Sequence, residues 1–138
     1  MMRLDVTSAI GQAREHVQHQ LQLGCGASLE LLNTHLPQDE LVESLTTAAP
    51  SPHTSPILDC LLVLTRRRLL FIAPAPRVVS WRLPAIAQVH ATGGVVDIYD
   101  TSGSQHQLGV DTEQGPDFAS RVQAAVALAI LRDRPTDR

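Results

Sequence analysis

LDCLLVLTRRRLLFIAPAPRVVSW, residues 58–81, is the stretch of sequence that decides the fold. Two apolar runs, 58–64 and 69–73, stand on either side of a polar tip, and a third run follows a proline-bounded turn at 74–76. The side chains that alternate onto one face of the first run are Leu58, Cys60, Leu62 and Leu64, with Asp59 and Thr65 marking the other face. Such alternation across a short polar tip is typical of a β-hairpin. The stretch therefore predicts a hairpin and one further strand at the centre of an antiparallel sheet.

The rest of the sheet is predicted from shorter segments on both sides of this hairpin. The additional strands are residues 41–48, 78–83, 85–91, 95–99 and 106–110. Gly93-Gly94 provides a tight turn between two of them. Residues 49–56 contain three prolines, which cannot donate to a sheet ladder, so this segment is predicted to be a loop. Together with the hairpin, these segments predict seven strands.

Helices are predicted at both ends of the chain. Residues 5–23 read as one amphipathic helix capped by Thr7 or Ser8. Its apolar stripe consists of Val6, Ile10, Ala13, Val17 and Leu21. A shorter helix is predicted from Leu29 to Leu36 with Ser28 as its cap, and a long final helix begins at Gly115-Pro116-Asp117. The stripe of the first helix needs a cover, which is either its own domain or another chain.

Three short motifs resemble those of bacterial pleckstrin-homology (PH)-like domains. Residues 62–71, LVLTRRRLLF, resemble their strand, Thr-x-Arg-Arg, strand hairpin. Residues 36–42, LPQDELV, resemble the Leu-Pro-Gly-Glu lead into their first strand, with Asp39 where glycine is usual, and residues 86–89 resemble an Ile-x-x-Val strand. The resemblance covers about residues 29–131. It implies an α+β fold, a seven-stranded antiparallel open barrel capped by a C-terminal helix, and a non-enzymatic binding role.

The same reading predicts how the chain is divided. Residues 1–26 form an N-terminal amphipathic helix and linker, residues 27–133 form the PH-like domain, and residues 134–138 form a charged tail. One or two helices are thus expected ahead of the barrel.

Composition excludes several classes of partner and compartment. The net charge is -3, the pI is about 6.0 and aromatic residues make up 3%, which argues against nucleic-acid binding. All basic residues are arginine. No secretory signal and no membrane-length apolar run is apparent, so a cytoplasmic protein with reduced Cys25 and Cys60 is expected.

The densest positive charge is the run of three arginines, Arg66, Arg67 and Arg68. They are candidates for binding phosphate or a lipid headgroup. Alternatively, one of them pairs with Asp59 or Glu40 and the others are solvated. PH domains that hold inositol phosphates use basic residues around the first strand-to-strand loop, and here that loop has no arginine or lysine. Membrane association is therefore expected to be weak.

Other candidate sites give no catalytic or metal constellation. His16 and His19 are spaced for one helix face, but no third ligand is indicated. Cys25 precedes a predicted helix, yet nothing in the sequence activates its thiol. We expect no enzyme activity, no cofactor, no metal and no small-molecule substrate.

The predicted function is a non-enzymatic binding module that contacts a protein partner or a second copy of itself as a homo-oligomer. The candidate contact residues are Ile10, Val17 and Leu21 of the first helix together with Arg66, Arg67 and Arg68. The alternative is a peripheral module that binds anionic lipid or phosphate with the three arginines.

Overall fold

A computed structural model describes residues 2–51 and 58–133. The α-helices in these ranges are α1 (Leu4–Gln12), α2 (Glu15–Gly24), α3 (Gly26–His35) and α4 (Gln114–Asp133). The strands are β1 (Val42–Ala49), β2 (Cys60–Thr65), β3 (Arg68–Ala73), β4 (Arg77–Arg82), β5 (Ile86–Thr92), β6 (Val95–Asp100) and β7 (Gln105–Val110). A 3-10 turn at Leu83–Ala85 joins β4 to β5, because Pro84 cannot continue the ladder.

The seven strands form one antiparallel sheet in the order β4-β3-β2-β1-β7-β6-β5. Strands β4 and β5 are its two edges, and among the described residues no ladder joins them, so the sheet is open. The predicted α+β fold, an open antiparallel barrel with a C-terminal helix and N-terminal helices, is confirmed. The predicted loop at 49–56 falls largely on residues 52–57, which lie outside the described ranges.

The barrel core lies between the concave face of the sheet and α4. Phe118, Val122 and Val126 of α4 pack into it, together with apolar side chains from every strand. Ala129 is also buried in this core, whereas the neighbouring Ile130 is 49% exposed. Helix α4 therefore closes the barrel along most of its length and leaves its last two turns partly uncovered.

The convex face of β1, β2 and β3 is covered by α1, α2 and α3. Leu61 and Val63 of β2, and Leu70 and Ile72 of β3, pack against these helices rather than against solvent. Cys60, Leu62 and Leu64 share the face toward the barrel core, as the alternation predicted, but the opposite face is buried as well, which explains why the run from 60 to 64 is continuously apolar. The helices form a second packed layer of the same molecule.

The N-terminal helical region differs from the sequence prediction. The single helix predicted over 5–23 is two helices, because the backbone is extended at Ala13 and Arg14. Its predicted caps are also wrong: Thr7 lies inside α1 and donates its hydroxyl to the carbonyl of Arg3 at 3.1 Å. Ser28 likewise lies inside α3 and donates to the Asp59 carbonyl at 2.7 Å, which ties α3 to the strand it covers.

Candidate functional site

The β2–β3 hairpin tip carries the three arginines, and each has its own carboxylate partner. Arg66 Nε lies 3.2 Å from Glu43 Oε2, and Arg67 Nη2 lies 3.0 Å from Asp39 Oδ2. Both pairs are largely exposed, so each contributes little to stability. The Arg67 guanidinium also holds the pKa of Asp39 below its ordinary value. The sequence interpretation that one arginine is paired and two are solvated is therefore replaced by three local pairs.

The third pair is buried and forms a small network. Arg68 donates from Nε and Nη2 to the two carboxylate oxygens of Glu40, at 2.8 and 3.0 Å. Thr65 donates its hydroxyl to the same carboxylate at 2.8 Å and accepts from the backbone N–H groups of Arg67 and Arg68. Burial alone would raise the pKa of Glu40, but the hydrogen bonds from Arg68 and Thr65 outweigh it and lower that pKa. The Arg68–Glu40 pair thus links the hairpin tip to the residues just before β1.

Two further arginines adjoin the tip, and the sequence interpretation missed both. Arg82 ends β4 directly across the ladder from Arg68, and Arg132 lies in the last turn of α4. The residues lining the cleft between them, which we call the arginine cleft, are Arg66, Arg67, Arg68, Ser80, Arg82, Pro84, Ala129 and Arg132. It has a volume of about 450 Å³. Its described lining includes no carboxylate, because Asp39 and Glu43 line a separate cleft on the other side of the tip.

The predicted contact residues of the first helix lie inside the molecule. Val17 and Leu21 have no exposed surface and pack against the outer face of the sheet. Ile10 is partly buried against the same cluster. The stripe therefore covers the chain's own sheet, and these residues offer little or no surface to a partner, since they shield Leu61 and Leu70 from water.

The start of α2 is fastened to the start of α4. The backbone N–H of Arg14 donates to Gln114 Oε1 at 3.1 Å, and its guanidinium donates to Asp117 at 2.9 Å. His16 Nε2 lies 2.8 Å from Asp111, whose carboxylate also accepts the first free amides of α4. Asp111 thus acts as a helix cap, since it accepts the backbone N–H groups of Glu113 and Gln114 at the start of α4. Across the described ranges, no group of three or more His, Cys, Asp or Glu side chains is arranged to hold a metal.

Both thiols are buried and poorly suited to nucleophilic chemistry. Burial, with a smaller effect of the Asp59 charge, raises the pKa of Cys25 to about 11. Burial, followed by a hydrogen bond from the thiol to Asp59, raises the pKa of Cys60 to about 12. The thiolate is the reactive form. Both side chains therefore stay protonated near neutral pH and behave as small core residues.

A second candidate site is the groove between the edge strand β5 and helix α4. We call it the β5–α4 groove; its lining residues are Ile86, Ala87, Gln88, Val89, Gln123, Val126, Ala127 and Ile130, and its volume is about 340 Å³. None of these side chains is titratable. Beside it, the outer face of α4 exposes Leu128, Ile130 and Leu131 at 53%, 49% and 59%. The sequence contains a sign of this exposed apolar face. Residues 122–131 include no charged residue, although one side of the helix faces solvent.

The described helices include none that is both long enough and apolar enough to span a membrane.

Comparison with known proteins identifies the fold. No family model matches the sequence, and no curated protein matches it. The structure is similar to the N-terminal PH domain of Vps36, with a TM-score of 0.56 and 15% identity over 70% of this chain and 86% of that one. It is also similar to the C-terminal domain of an unknown protein from Leishmania infantum, with a TM-score of 0.54 and 12% identity over 64% of this chain and 85% of that one.

A third similar structure contains the linker and DH/PH domains of p115-RhoGEF. Its TM-score is 0.54 at 9% identity, and the match covers 90% of this chain but 40% of that one. At these identities the similarity shows the fold alone, which is PH-like. The narrower resemblance to a bacterial group stays a prediction from the sequence.

Proposed function

We propose that this chain is a non-enzymatic binding module that takes up an extended, apolar segment of a protein partner in the β5–α4 groove. The segment would add to the sheet as a strand beside β5 and press its side chains against α4. This mode of recognition draws affinity from backbone hydrogen bonds and specificity from the adjoining side-chain pockets.

The observation that carries the proposal is an open sheet edge beside an uncharged, exposed apolar helix face. Strand β5 pairs only with β6 among the described strands, so one side of its backbone faces the groove. The side chain of Gln123 donates to the carbonyl of Val89, which shows that this carbonyl is available to a donor from the helix side. A partner backbone N–H can replace the Gln123 amide there without leaving an acceptor unpaired.

The chemistry of the groove defines the occupant. A lining without titratable groups offers no counter-charge, so a charged side chain entering it would be desolvated without compensation. The exposed Leu128, Ile130 and Leu131 extend the apolar wall toward the end of α4. Exposed apolar groups gathered in this way are typical of interaction surfaces rather than of bare monomer surface. An uncharged partner segment rich in apolar side chains fits both features.

The buried thiols support the non-enzymatic part of the proposal. Cys25 and Cys60 are the two thiols of the chain, and their raised pKa values keep them protonated. The three arginines of the hairpin tip are engaged by Asp39, Glu40 and Glu43 and lie away from this groove. They are therefore weaker candidates for the primary partner contact than α4 and β5.

The proposal is tested by selecting binders from a random peptide library displayed on phage and mapping them by NMR. We expect selected peptides to be apolar and to shift the amide resonances of β5 and of residues 123–130. Ile130→Asp places a charge in the groove, and a bound peptide would bury that charge without a partner. We therefore expect the affinity for the selected peptides to fall by at least tenfold. Leu23→Asp is the matched control, because Leu23 is 87% exposed on α2 and outside the groove.

Two results would overturn the proposal. One is that selected peptides shift resonances elsewhere and bind Ile130→Asp as well as wild type. The other is a wild-type dimer by light scattering that Leu128→Asp converts to a monomer, since α4 would then be covered by a second copy of the chain. Unchanged amide spectra of the variants outside the substituted position would show that folding is retained.

A further inference from the structure

We infer that the arginine cleft binds a phosphate-type dianion, with Arg82 and Arg132 as the principal ligating groups. This site is independent of the proposed protein-binding function, because the arginine cleft and the β5–α4 groove share no lining residue.

The charge balance of the cleft supports the inference. Arg68 is neutralised by the buried Glu40, and Arg66 and Arg67 have exposed partners that face the neighbouring cleft. Arg82 and Arg132 have no carboxylate within 4.0 Å among the residues whose side chains are described, 2–51 and 58–132. A cleft with several guanidinium groups and no lining carboxylate carries a positive potential that favours an anion.

The placement of Arg82 has a further consequence. Its Cα is the ladder partner of the Arg68 Cα, and like charges directly opposite each other in a sheet are unfavourable. Glu40 offsets this repulsion, because its carboxylate accepts hydrogen bonds from both Nε and Nη2 of Arg68. Arg82 is exposed, and its guanidinium makes no hydrogen bond or ion pair with another residue in the part of the chain that the structure describes.

The hydrogen-bond donors in the cleft are of the types that bind phosphate oxygens. Guanidinium groups recognise phosphate oxygens through paired N–H donors, and the exposed Ser80 hydroxyl lies in the same lining. The cleft has no aromatic side chain in its described lining, so it offers no stacking surface for a base. The recognised group is therefore the anion itself. The carbonyl groups at the C-terminal end of α4, near Arg132, carry a partial negative charge that disfavours a bound anion. We therefore expect weak binding of inorganic phosphate alone, with a dissociation constant on the order of 1 mM.

The position of the cleft separates it from the first strand-to-strand loop. The β2–β3 tip, the turn at Leu83–Ala85 and the end of α4 meet at one end of the barrel. The connection from β1 to β2 leaves the sheet at the other end of β2. A dianion bound here would therefore be held at the end of the barrel that α4 closes.

The test uses the full chain and titrates it with inorganic phosphate and pyrophosphate at constant ionic strength, with chloride as the reference anion. We expect saturable shifts of the arginine side-chain resonances, and an affinity lowered on the order of tenfold or more in R82Q/R132Q, as charge-assisted hydrogen bonds are lost. R77Q/R121Q is the matched control, since it removes the same charge from exposed arginines outside the cleft. The control should bind like wild type.

A second arm identifies the source of the anion. Vesicles of phosphatidylcholine with and without phosphatidylinositol 4-phosphate are sedimented with wild type and with R82Q/R132Q. Sedimentation that requires the phosphoinositide and both arginines assigns the site to a lipid headgroup, whereas soluble-anion binding without sedimentation assigns it to a free phosphorylated ligand. The inference is overturned if neither anion saturates, or if R77Q/R121Q weakens binding as much as R82Q/R132Q does.

Discussion

Replacing Glu40 by alanine should destabilise the protein more than any other change at the hairpin tip. The side chain of Glu40 is 3% exposed and accepts two hydrogen bonds from Arg68 and one from Thr65. Removing one partner of a buried ion pair costs about 3–5 kcal/mol. Because Arg68 keeps 22% of its side chain in water and can relax toward solvent, we expect a loss of about 2–3 kcal/mol in the free energy of unfolding.

The effect has a defined pH dependence. The pKa of Glu40 is lowered in the folded protein, so its contribution to stability is fully present above its unfolded value of 4.5. That contribution is lost as the pH falls through the lowered folded pKa. The difference between wild type and Glu40→Ala should therefore be constant near neutral pH and should shrink in acid below about pH 4.5.

Urea unfolding followed by the fluorescence of Trp81, a buried side chain of the barrel core, measures both quantities. Glu43→Ala is the control, because its pair with Arg66 is exposed and should be worth about 0–1 kcal/mol. In an Arg68→Met background, Glu40→Ala should cost at least about 1 kcal/mol less than it does alone, which is the coupling expected for groups in contact. Equal costs for Glu40→Ala and Glu43→Ala, or strict additivity with Arg68→Met, would refute the reasoning.

Three further predictions concern other parts of the molecule. Asp111→Ala removes the acceptor for the first free amides of α4 and should cost about 1–2 kcal/mol in urea unfolding, while Asp111→Asn should retain most of the stability. Gly115→Ala should lower the melting temperature, with a cost of about 1–3 kcal/mol, because a Cβ there would lie 2.7 Å from Val110 Cγ2. Gly11→Ala should raise the melting temperature, with a gain of about 0.5–1 kcal/mol in the free energy of unfolding, because a Cβ there meets nothing within 4 Å and alanine favours the helix.

The strands could be predicted from the sequence because their signals are local. Apolar runs, a polar hairpin tip and Gly93-Gly94 mark where each strand begins and ends, and the structure agrees to within a few residues. The alternation in the run from 60 to 64 was predicted correctly, but the burial of its second face was not, for a physical reason. A strand that is buried on both faces differs from one that is buried on a single face only in having apolar residues at the alternate positions. Leu61 and Val63 occupy those positions, and apolar residues there are compatible with both kinds of strand.

The break between α1 and α2 could not be predicted because its cause is not local. Gly11 precedes it, but the extended residues are Ala13 and Arg14, neither of which terminates a helix by itself. The backbone N–H of Arg14 is satisfied by Gln114, a residue 100 positions away in the sequence. The arginine cleft was missed for the same reason: Arg82 and Arg132 are brought together by the packing of α4 on the open barrel, which no local pattern encodes.

The way in which the helices are attached determines which surfaces remain for binding. Helices α1, α2 and α3 cover the outer face of β1 to β3, so that face, which an isolated barrel would expose, is closed to partners. Arg14 and His16 fasten α2 to the first turn of α4 and to Asp111 just before it, so this end of the capping helix is held from both sides. In the last two turns of α4, ahead of Arg132, Leu128, Ile130 and Leu131 are exposed. Leu128 and Leu131 are thus exposed beside an open strand edge in a chain that uses three helices to bury one sheet face, and exposed apolar groups gathered in this way are typical of interaction surfaces, which is why the proposed partner segment is placed there.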